Sequence, residues 1–593
     1  MKANLRKFMP GENTGMMIIA SVIGLLAGLC NIVFRTIVHW VDALFMGGGK
    51  ELLGIEQGGW HLLLLPLIPM AGMVLLIPIS LLFPGEVNGY GFTKFLRKVN
   101  LEGGYIKGRT IVLKIVTTAL TIGTGNSAGV EGPIAAIGGA AGSQVGQFFR
   151  VSGSRMKVYI AAGAAGGIAG MFNAPIAGIF FASEIVLLGS FEISSFAALV
   201  IASAISTVVT RAYYGEIPAF PIPHYVMVNP FVEIPLYILL AIIIGLIAVF
   251  YIRVFYWVRD KYEALPIHPQ IKPITGAFFI GCMAMAYPQI MGDGYHFIES
   301  VLNGEGAISI LFILVFMKIF ATSITLGSGG AGGVFAPSLF IGAMIGGCFG
   351  HVANLILPSL TADPGAYATV GIGAFLAAAT HAPMTAIFLL FEMTGNYLII
   401  IPIMITSIIG VMVSKKFNHD SIDTVDFTRE GIDIHEGREA AIMKSVRVGK
   451  AITEDVDFIS ERANINHLLE IFRMAKSSFY FPVVDDSGRM TGIISMQDVK
   501  NILHRAEEER VCYLVGGICS RDVIMLTPDD SLYTAMQLFD VKGIEEIPVV
   551  EDLENKWVVG MLKRRDVIAA YNHEVLKKGI AEKAETIRIT CGG

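Results

Sequence analysis

The long apolar runs between Met16 and Val413 constrain this chain most, because a stretch such as HLLLLPLIPMAGMVLLIPISLLF, residues 61–83, is long enough to cross a bilayer. Composition agrees: of 593 residues, 54% are hydrophobic and 16% charged, far from the balance of a soluble protein. From Asn418 to Gly593 the sequence reads as an ordinary soluble one, so the chain divides near Lys416. A net charge of -5 argues against a nucleic-acid partner. Cys30, Cys282, Cys348, Cys512, Cys519 and Cys591 make no CxxC pair, which signals neither a disulfide framework nor a zinc site. The soluble part is therefore expected in a reducing cytosol. Lys2, Arg6 and Lys7 precede the first apolar run without a small-residue cleavage site, so an uncleaved start on the cytoplasmic side is expected, with both termini inside.

The membrane part repeats itself. GVEGP (Gly129–Pro133) and GVFAP (Gly333–Pro337) share the form Gly-Val-x-x-Pro, with Glu131 and Phe335 at equivalent places. NAPIAGIFFASE and HAPMTAIFLLFE follow in the same order, with 9 residues from Pro175 to Glu184 and 9 from Pro383 to Glu392. Two matched motifs in step mean two related halves, which in membranes are commonly inverted, with a site near the midplane where broken helices meet. Glycine followed by proline suits a helix start approached closely by a ligand, and helix N-termini favour anions. The expectation is a midplane anion site. The glycines of AAGAAGGIAGMF (Ala161–Phe172) are instead read as close helix packing.

On these residues the chain resembles the CLC family of chloride channels and proton-coupled chloride exchangers. GVEGP is similar to that family's Gly-Arg-Glu-Gly-Pro motif, GGVFAP to its Gly-x-Phe-x-Pro motif, and MFNAPIAGIFFASE and HAPMTAIFLLFEMTGNY to its two Ala-Pro helices. EGIDIHEGRE (Glu430–Glu439) resembles the linker leaving the last membrane helix. The resemblance implies an all-α polytopic membrane domain of two inverted repeats, assembled as a homodimer with one anion pathway per subunit. It makes Glu131 the gating glutamate, a tethered anion freed by protonation or displaced by chloride. A satisfied buried carboxylate is the plainer alternative. Backbone around Val130, Glu131, Gly132, Val334 and Phe335 would coordinate the anion. Lys114, 17 residues before Glu131, either snorkels to the interface or makes the pathway electropositive.

Three departures from the family pattern matter. GYGFT, residues 89–93, stands where Gly-Ser-Gly-Ile-Pro is usual, so Tyr90, followed by Gly91, replaces the anion-binding serine. SIDT puts Asp423 where many members carry an anion-binding tyrosine, and an ionised aspartate there would repel chloride unless it turns away or is protonated. Tyr90 is then expected to supply the missing hydroxyl. In ASEIV, Ile185 follows Glu184 where many exchangers have a second acid as internal proton relay. A side chain with no ionisable group cannot relay a proton, which favours passive, voltage- or pH-gated conduction over exchange. An antiporter using another relay is the alternative. Glu184 and Glu392 are read as structural carboxylates at helix ends.

Met443 to about Tyr571 holds a second repeat, FYFPVVDDSGRMTGIISMQDV against EEIPVVEDLENKWVVGMLKRRDV, each with two β runs and an acid opening a helix. This resembles a tandem α/β pair of cystathionine-β-synthase (CBS) domains. In that family Gly-h-h-Ser/Thr-x-x-Asp binds adenosine nucleotides. The first copy has Gly492, Ser495 and Asp498; the second has Gly560 and Asp566, with Lys563 in place of the hydroxyl residue. The resemblance implies ATP, ADP or AMP as a candidate regulator, against a purely structural dimerisation module. No cofactor or metal is required.

The division expected is 1–15 cytosolic segment, 16–417 membrane domain, 418–444 linker, 445–508 and 509–575 CBS domains, and 576–593 tail. Chloride, the bilayer, a second copy and, for exchange, protons are the expected partners, in the cell membrane. A CBS-regulated divalent-cation channel would need pore-facing oxygen ligands, and the sequence offers one carboxylate at a glycine-rich helix start instead. No nucleophile–base arrangement supports an enzyme.

Overall fold

The computed structural model describes residues 12–575 except 88, 152, 190–192, 217–222, 224, 226, 435–442, 445, 454–455, 475–479 and 504–512. The end of the EGIDIHEGRE linker and the 576–593 tail lie outside the described residues. The chain forms two compact units, one reaching His435 and one starting at Glu436.

The first unit is helical. Among the described residues, seven helices are long and apolar enough to cross a membrane, Pro230–Ala264 and Ile308–Ser328 among them. On Glu12–Asp42 the stripe Ile18, Leu25, Leu29 and Val33 stays 45–49% exposed, an apolar face of the kind that suits lipid tails. Pro175–Val186, Lys272–Ala286, Pro364–Thr380 and Pro383–Thr394 are apolar but only 10–17 residues long. At about 1.5 Å per residue they fall short of a hydrocarbon layer of about 30 Å, so their ends must find polar partners within the protein.

Those partners follow the repeat. Arg109–Gly123, Glu131–Phe149, Gly153–Phe172, Pro175–Phe181 and Ile193–Tyr214 recur in order as Ile308–Ser328, Phe335–Ile356, Pro364–Thr380, Pro383–Thr394 and Ile400–Phe417. Each Ala-Pro helix begins at an alanine that offers no side-chain cap. The cap comes from the other half. Glu184 accepts from the N–H groups of Met384 (3.0 Å) and Thr385 (2.7 Å) and from the Thr385 hydroxyl (2.7 Å). Glu392 accepts from the N–H groups of Ile176 (2.9 Å) and Ala177 (2.8 Å). Carboxylates thus sit where orphan donors and the helix dipole favour them. Pairing that runs both ways relates the halves by a two-fold axis. Gly129 and Gly333 repeat the relation, each donating its N–H to the other's carbonyl at 2.8 Å in an antiparallel bridge.

Within each half, two helices meet backbone to backbone. A Cβ on Gly138 would lie 2.2 Å from the Gly163 carbonyl oxygen, and one on Gly163 2.0 Å from that of Gly138; Gly342 and Gly371 face each other likewise at 2.4 Å. The AAGAAGGIAGMF glycines are packing residues, as small residues between membrane helices usually are.

The second unit holds two α/β copies. β1 (Ile459–Ser460) pairs in parallel with β2 (Tyr480–Val484), which pairs antiparallel with β3 (Met490–Ser495). β4 (Glu546–Val550) and β5 (Val558–Lys563) form the matching hairpin. Both hairpins shift register at the same place, Val483/Val484 and Val549/Val550, so the sequence repeat is also a backbone repeat.

Candidate functional site

Glu131 and Phe335 are the first residues of their helices, and neither helix start has a side-chain cap. The Gly129–Gly333 bridge sets the two starts side by side. A Cβ on Gly132 would come within 3.4 Å of the Gly333 Cα and 3.8 Å of the Phe92 Cβ. Phe92 opens a third uncapped helix, Phe92–Asn100. Its approach is tied to the second half by the Gly89 N–H, which donates to the Gly329 carbonyl at 3.1 Å. Tyr90, Gly91, Val130, Gly132, Val334 and Phe335 therefore gather where three N-termini present partial positive charge, an arrangement able to hold an anion.

Glu131 is fully buried there. Its Oε2 accepts the Ala336 N–H at 3.0 Å and its Oε1 accepts the Tyr295 hydroxyl. The carboxylate thus occupies donors that another anion could use. Lys114 turns its ammonium to the third helix start, since a Cβ on Gly91 would lie 2.0 Å from its Nζ. The rings of Phe92 and Phe181 (6.0 Å between centroids) and of Phe181 and Phe335 (6.0 Å) link the third start to the second.

Two of the three departures prove to be one feature. The Tyr90 hydroxyl, expected to meet an anion, donates to Asp423 Oδ1, and both residues are buried. Asp423 turns toward Tyr90. Ile185, the third departure, is buried in the π-helical turn Ala182–Val186.

Sequence reasoning missed Asp293, Tyr295 and Lys318. Fully buried Lys318 donates to the carbonyls of Ile290 (3.0 Å) and Gly292 (2.9 Å), with its Nζ 4.9 Å from the centre of the Phe340 ring. Asp293 accepts the Tyr295 N–H at 3.2 Å. The signal lies in the repeat. Gly292-Asp293-Gly294-Tyr295 mirrors Gly89-Tyr90-Gly91-Phe92, and Lys318 precedes Pro337 by 19 residues as Lys114 precedes Pro133. Lys318 approaches Gly294 as Lys114 approaches Gly91, at 3.3 Å from the Cβ that Gly294 lacks.

In the second unit the predicted residues stand one set in each copy. Asp498 Oδ2 accepts the Ser495 N–H and hydroxyl, both at 2.7 Å, where Met496–Leu503 begins. This is half of a capping box, a sufficient local reason for the Ser-x-x-Asp spacing. Lys563 ends β5 with its Nζ 3.9 Å from Glu546 and lines a small pocket with Thr453, Val456, Asp457, Tyr480, Phe481 and Met561. Ser495, Asp498 and Asp566 are not in that lining, and Asp566 lies 3.6 Å from Arg565.

Residues 71–415 match the family model described as voltage gated chloride channel, and residues 448–505 and 515–573 each match the CBS domain. The chain is 33% identical over 409 residues to the H(+)/Cl(-) exchange transporter ClcA of Vibrio campbellii, covering 68% of this chain and 86% of that one. It is 28% identical over 642 residues to the chloride channel protein CLC-f of Arabidopsis thaliana, covering 94% and 80%. Among solved structures it resembles a slow cyanobacterial Cl-/H+ antiporter, with a TM-score of 0.63, 25% identity, and coverage of 70% of this chain and 97% of that one. A eukaryotic CLC transporter shares the fold at a TM-score of 0.61 and 20% identity, over 93% and 97%.

Proposed function

The chain belongs to the CLC family of chloride channels and exchangers and ends in a pair of CBS domains, and from that premise we propose a passive chloride pathway gated by Glu131. The supporting observation is the carboxylate on the Ala336 N–H. Ionised, it fills donors that chloride would use. At roughly 4 Å and an effective dielectric constant of about 20, its charge opposes a neighbouring chloride by about 4 kcal/mol, roughly a thousandfold in occupancy. Protonation, or displacement by chloride, removes that barrier, so conduction rises as pH falls. Lys114, Lys318 and the helix starts supply the positive surroundings that draw an anion inward.

The chain would sit in the cell membrane with both termini cytoplasmic, as a homodimer with one pathway per subunit. An adenine nucleotide is proposed as regulator at the CBS pair. The Lys563 ammonium, beside Asp457 and Tyr480 in the second-unit pocket, supports it as a point charge for phosphate. Locking of Ser495 onto Asp498 supports the structural alternative.

Proton/chloride exchange is the second reading. Asp423 favours it, because it is a buried acid beside the third helix start where Ile185 has none. Purified protein in liposomes under a chloride gradient, with chloride efflux and external pH recorded together, separates the two. Electrogenic efflux without proton movement supports the channel. Chloride-driven proton uptake lost in Glu131→Gln refutes it in favour of exchange.

A further inference from the structure

Asp423 is spent neither on the fold nor on the Glu131 gate. Its carboxylate is buried, with the Tyr90 hydroxyl on Oδ1. The groups around it are tyrosines. From Pro230–Ala264 come Tyr251 and Tyr256, and the Tyr256 hydroxyl donates to the Ile422 carbonyl at 2.8 Å, next in sequence to Asp423. The Tyr251 hydroxyl is buried and has no hydrogen-bond partner among the described residues. The charged groups beyond are engaged: Arg259 with Asp426 at 2.6 Å, and Arg429 with Asp260 at 2.8 Å, both guanidinium groups lying over the Tyr256 ring. Lys114 faces Gly91, next in sequence to Tyr90, and no cation is paired with the Asp423 carboxylate among the contacts of the described residues. A buried carboxylate held by a hydroxyl and not by a cation is costly to keep ionised, so its charge can change during function.

The repeat says which end of the pathway this is. Tyr90 lies in Gly-Tyr-Gly-Phe and Tyr295 in the equivalent Gly-Asp-Gly-Tyr. Inverted halves put equivalent segments on opposite sides of the midplane. Tyr295 holds Glu131 and Tyr90 holds Asp423, one tyrosine–carboxylate pair toward each end.

We propose that Asp423 is a second acid gate of the pathway, admitting anions at the end opposite Tyr295 when protonated and repelling them when ionised, with Tyr90 as its positioning residue. This rests on the chloride pathway proposed above. An ionised Asp423 would act on an entering anion by the same Coulomb repulsion as Glu131, but would answer to protons on the other face.

The test is chloride current through the full-length chain in planar bilayers, with pH changed on one face at a time. Above its midpoint, the response on the Asp423 face should fall roughly tenfold per pH unit, as one titrating group dictates. Asp423→Asn, which keeps an acceptor for Tyr90, should flatten that response to less than twofold and leave the other face unchanged. Glu131→Gln should do the converse. Tyr90→Phe removes the donor to the ionised carboxylate and should move the midpoint on that face to higher pH. Asp423→Asn with both responses intact, Tyr90→Phe with an unmoved midpoint, or Glu131→Gln flattening both faces would each overturn the proposal. Glu131→Gln with both responses intact instead counts against the Glu131 gate alone, and absence of chloride current overturns both readings.

Discussion

Replacing Tyr295 by phenylalanine isolates one hydrogen bond of the gate. The ring stays, so packing is retained, and Glu131 Oε1 loses its hydroxyl donor while Oε2 keeps the Ala336 N–H at 3.0 Å. A hydrogen bond to a charged group contributes about 1.5–3 kcal/mol. Tyr295 donates to the carboxylate, so the bond stabilises the ionised form, which fills the pathway in the proposed gate, and would be lost when Glu131 is protonated and leaves. Tyr295→Phe should therefore shift the gate toward opening by roughly tenfold to a hundredfold, and move the midpoint of pH activation up by about one to two units. Chloride efflux from liposomes, followed between pH 4 and pH 8, reads both quantities. An efflux curve that superimposes on that of the unaltered chain would refute the reasoning, and so would a midpoint displaced to lower pH. Combining the change with Glu131→Gln provides the internal control. With Glu131 no longer ionisable, the Tyr295 hydroxyl has no charged gate to hold, and Tyr295→Phe should alter efflux by less than twofold.

Three further outcomes follow from the same contacts. Gly342→Val should prevent the helices Phe335–Ile356 and Pro364–Thr380 from meeting, since a Cβ there lies 2.4 Å from the Gly371 carbonyl oxygen, and size-exclusion profiles of the purified protein should show loss of the folded species. Glu392→Ala leaves the Ile176 and Ala177 N–H groups without their carboxylate, a loss of about 2–5 kcal/mol that thermal unfolding in detergent should register as a lowered midpoint. Asp498→Ala should cost the second unit about 1 kcal/mol as a lost cap. If its role is only that, calorimetric titration of the full-length protein with ATP or AMP should give the same heat with or without the substitution.

The frame was legible because it is written twice. Gly-Val-x-x-Pro and the Pro-to-Glu spacing of 9 mark the two helix starts and the two capping carboxylates, and both motifs carry their geometry locally. What the spacing hides is the partner. Glu184 caps a helix whose first residue is Pro383, and Glu392 one that begins at Pro175, contacts that only the two-fold arrangement of the halves brings about. The resemblance brings Tyr90 and Asp423 to one anion site, but nothing in a one-dimensional sequence makes the Tyr90 hydroxyl donate to the Asp423 carboxylate, 333 residues later, instead of to an anion. Asp293, Tyr295 and Lys318 carry a fainter signal, because Gly-x-Gly-aromatic is a short pattern and the distance from Tyr295 to Lys318 is one residue longer than that from Phe92 to Lys114. In the soluble unit, the Ser495–Asp498 spacing satisfies a helix cap and a nucleotide pattern equally, so sequence alone leaves the two open.

The two halves are alike in backbone and unlike in chemistry, and under the proposed gating that contrast would give the pathway its direction. Glu131 stands opposite Phe335, Tyr90 answers to Asp293, and Phe92 answers to Tyr295. A symmetric frame with identical side chains would present the same barrier from both faces. Here one carboxylate is carried by the first half and held by a hydroxyl of the second. The other follows the last helix of the second half, Ile400–Phe417, and is held by a hydroxyl of the first. Each tyrosine–carboxylate pair is therefore made across the halves, so a small movement of one half against the other would change both acids together, while protons from each face would reach only one of them. Simultaneous loss of both hydroxyls, in Tyr90→Phe with Tyr295→Phe, should accordingly shift the midpoint on each face by no more than its own single substitution does if the halves are rigid, and a larger shift on either face would show that they move.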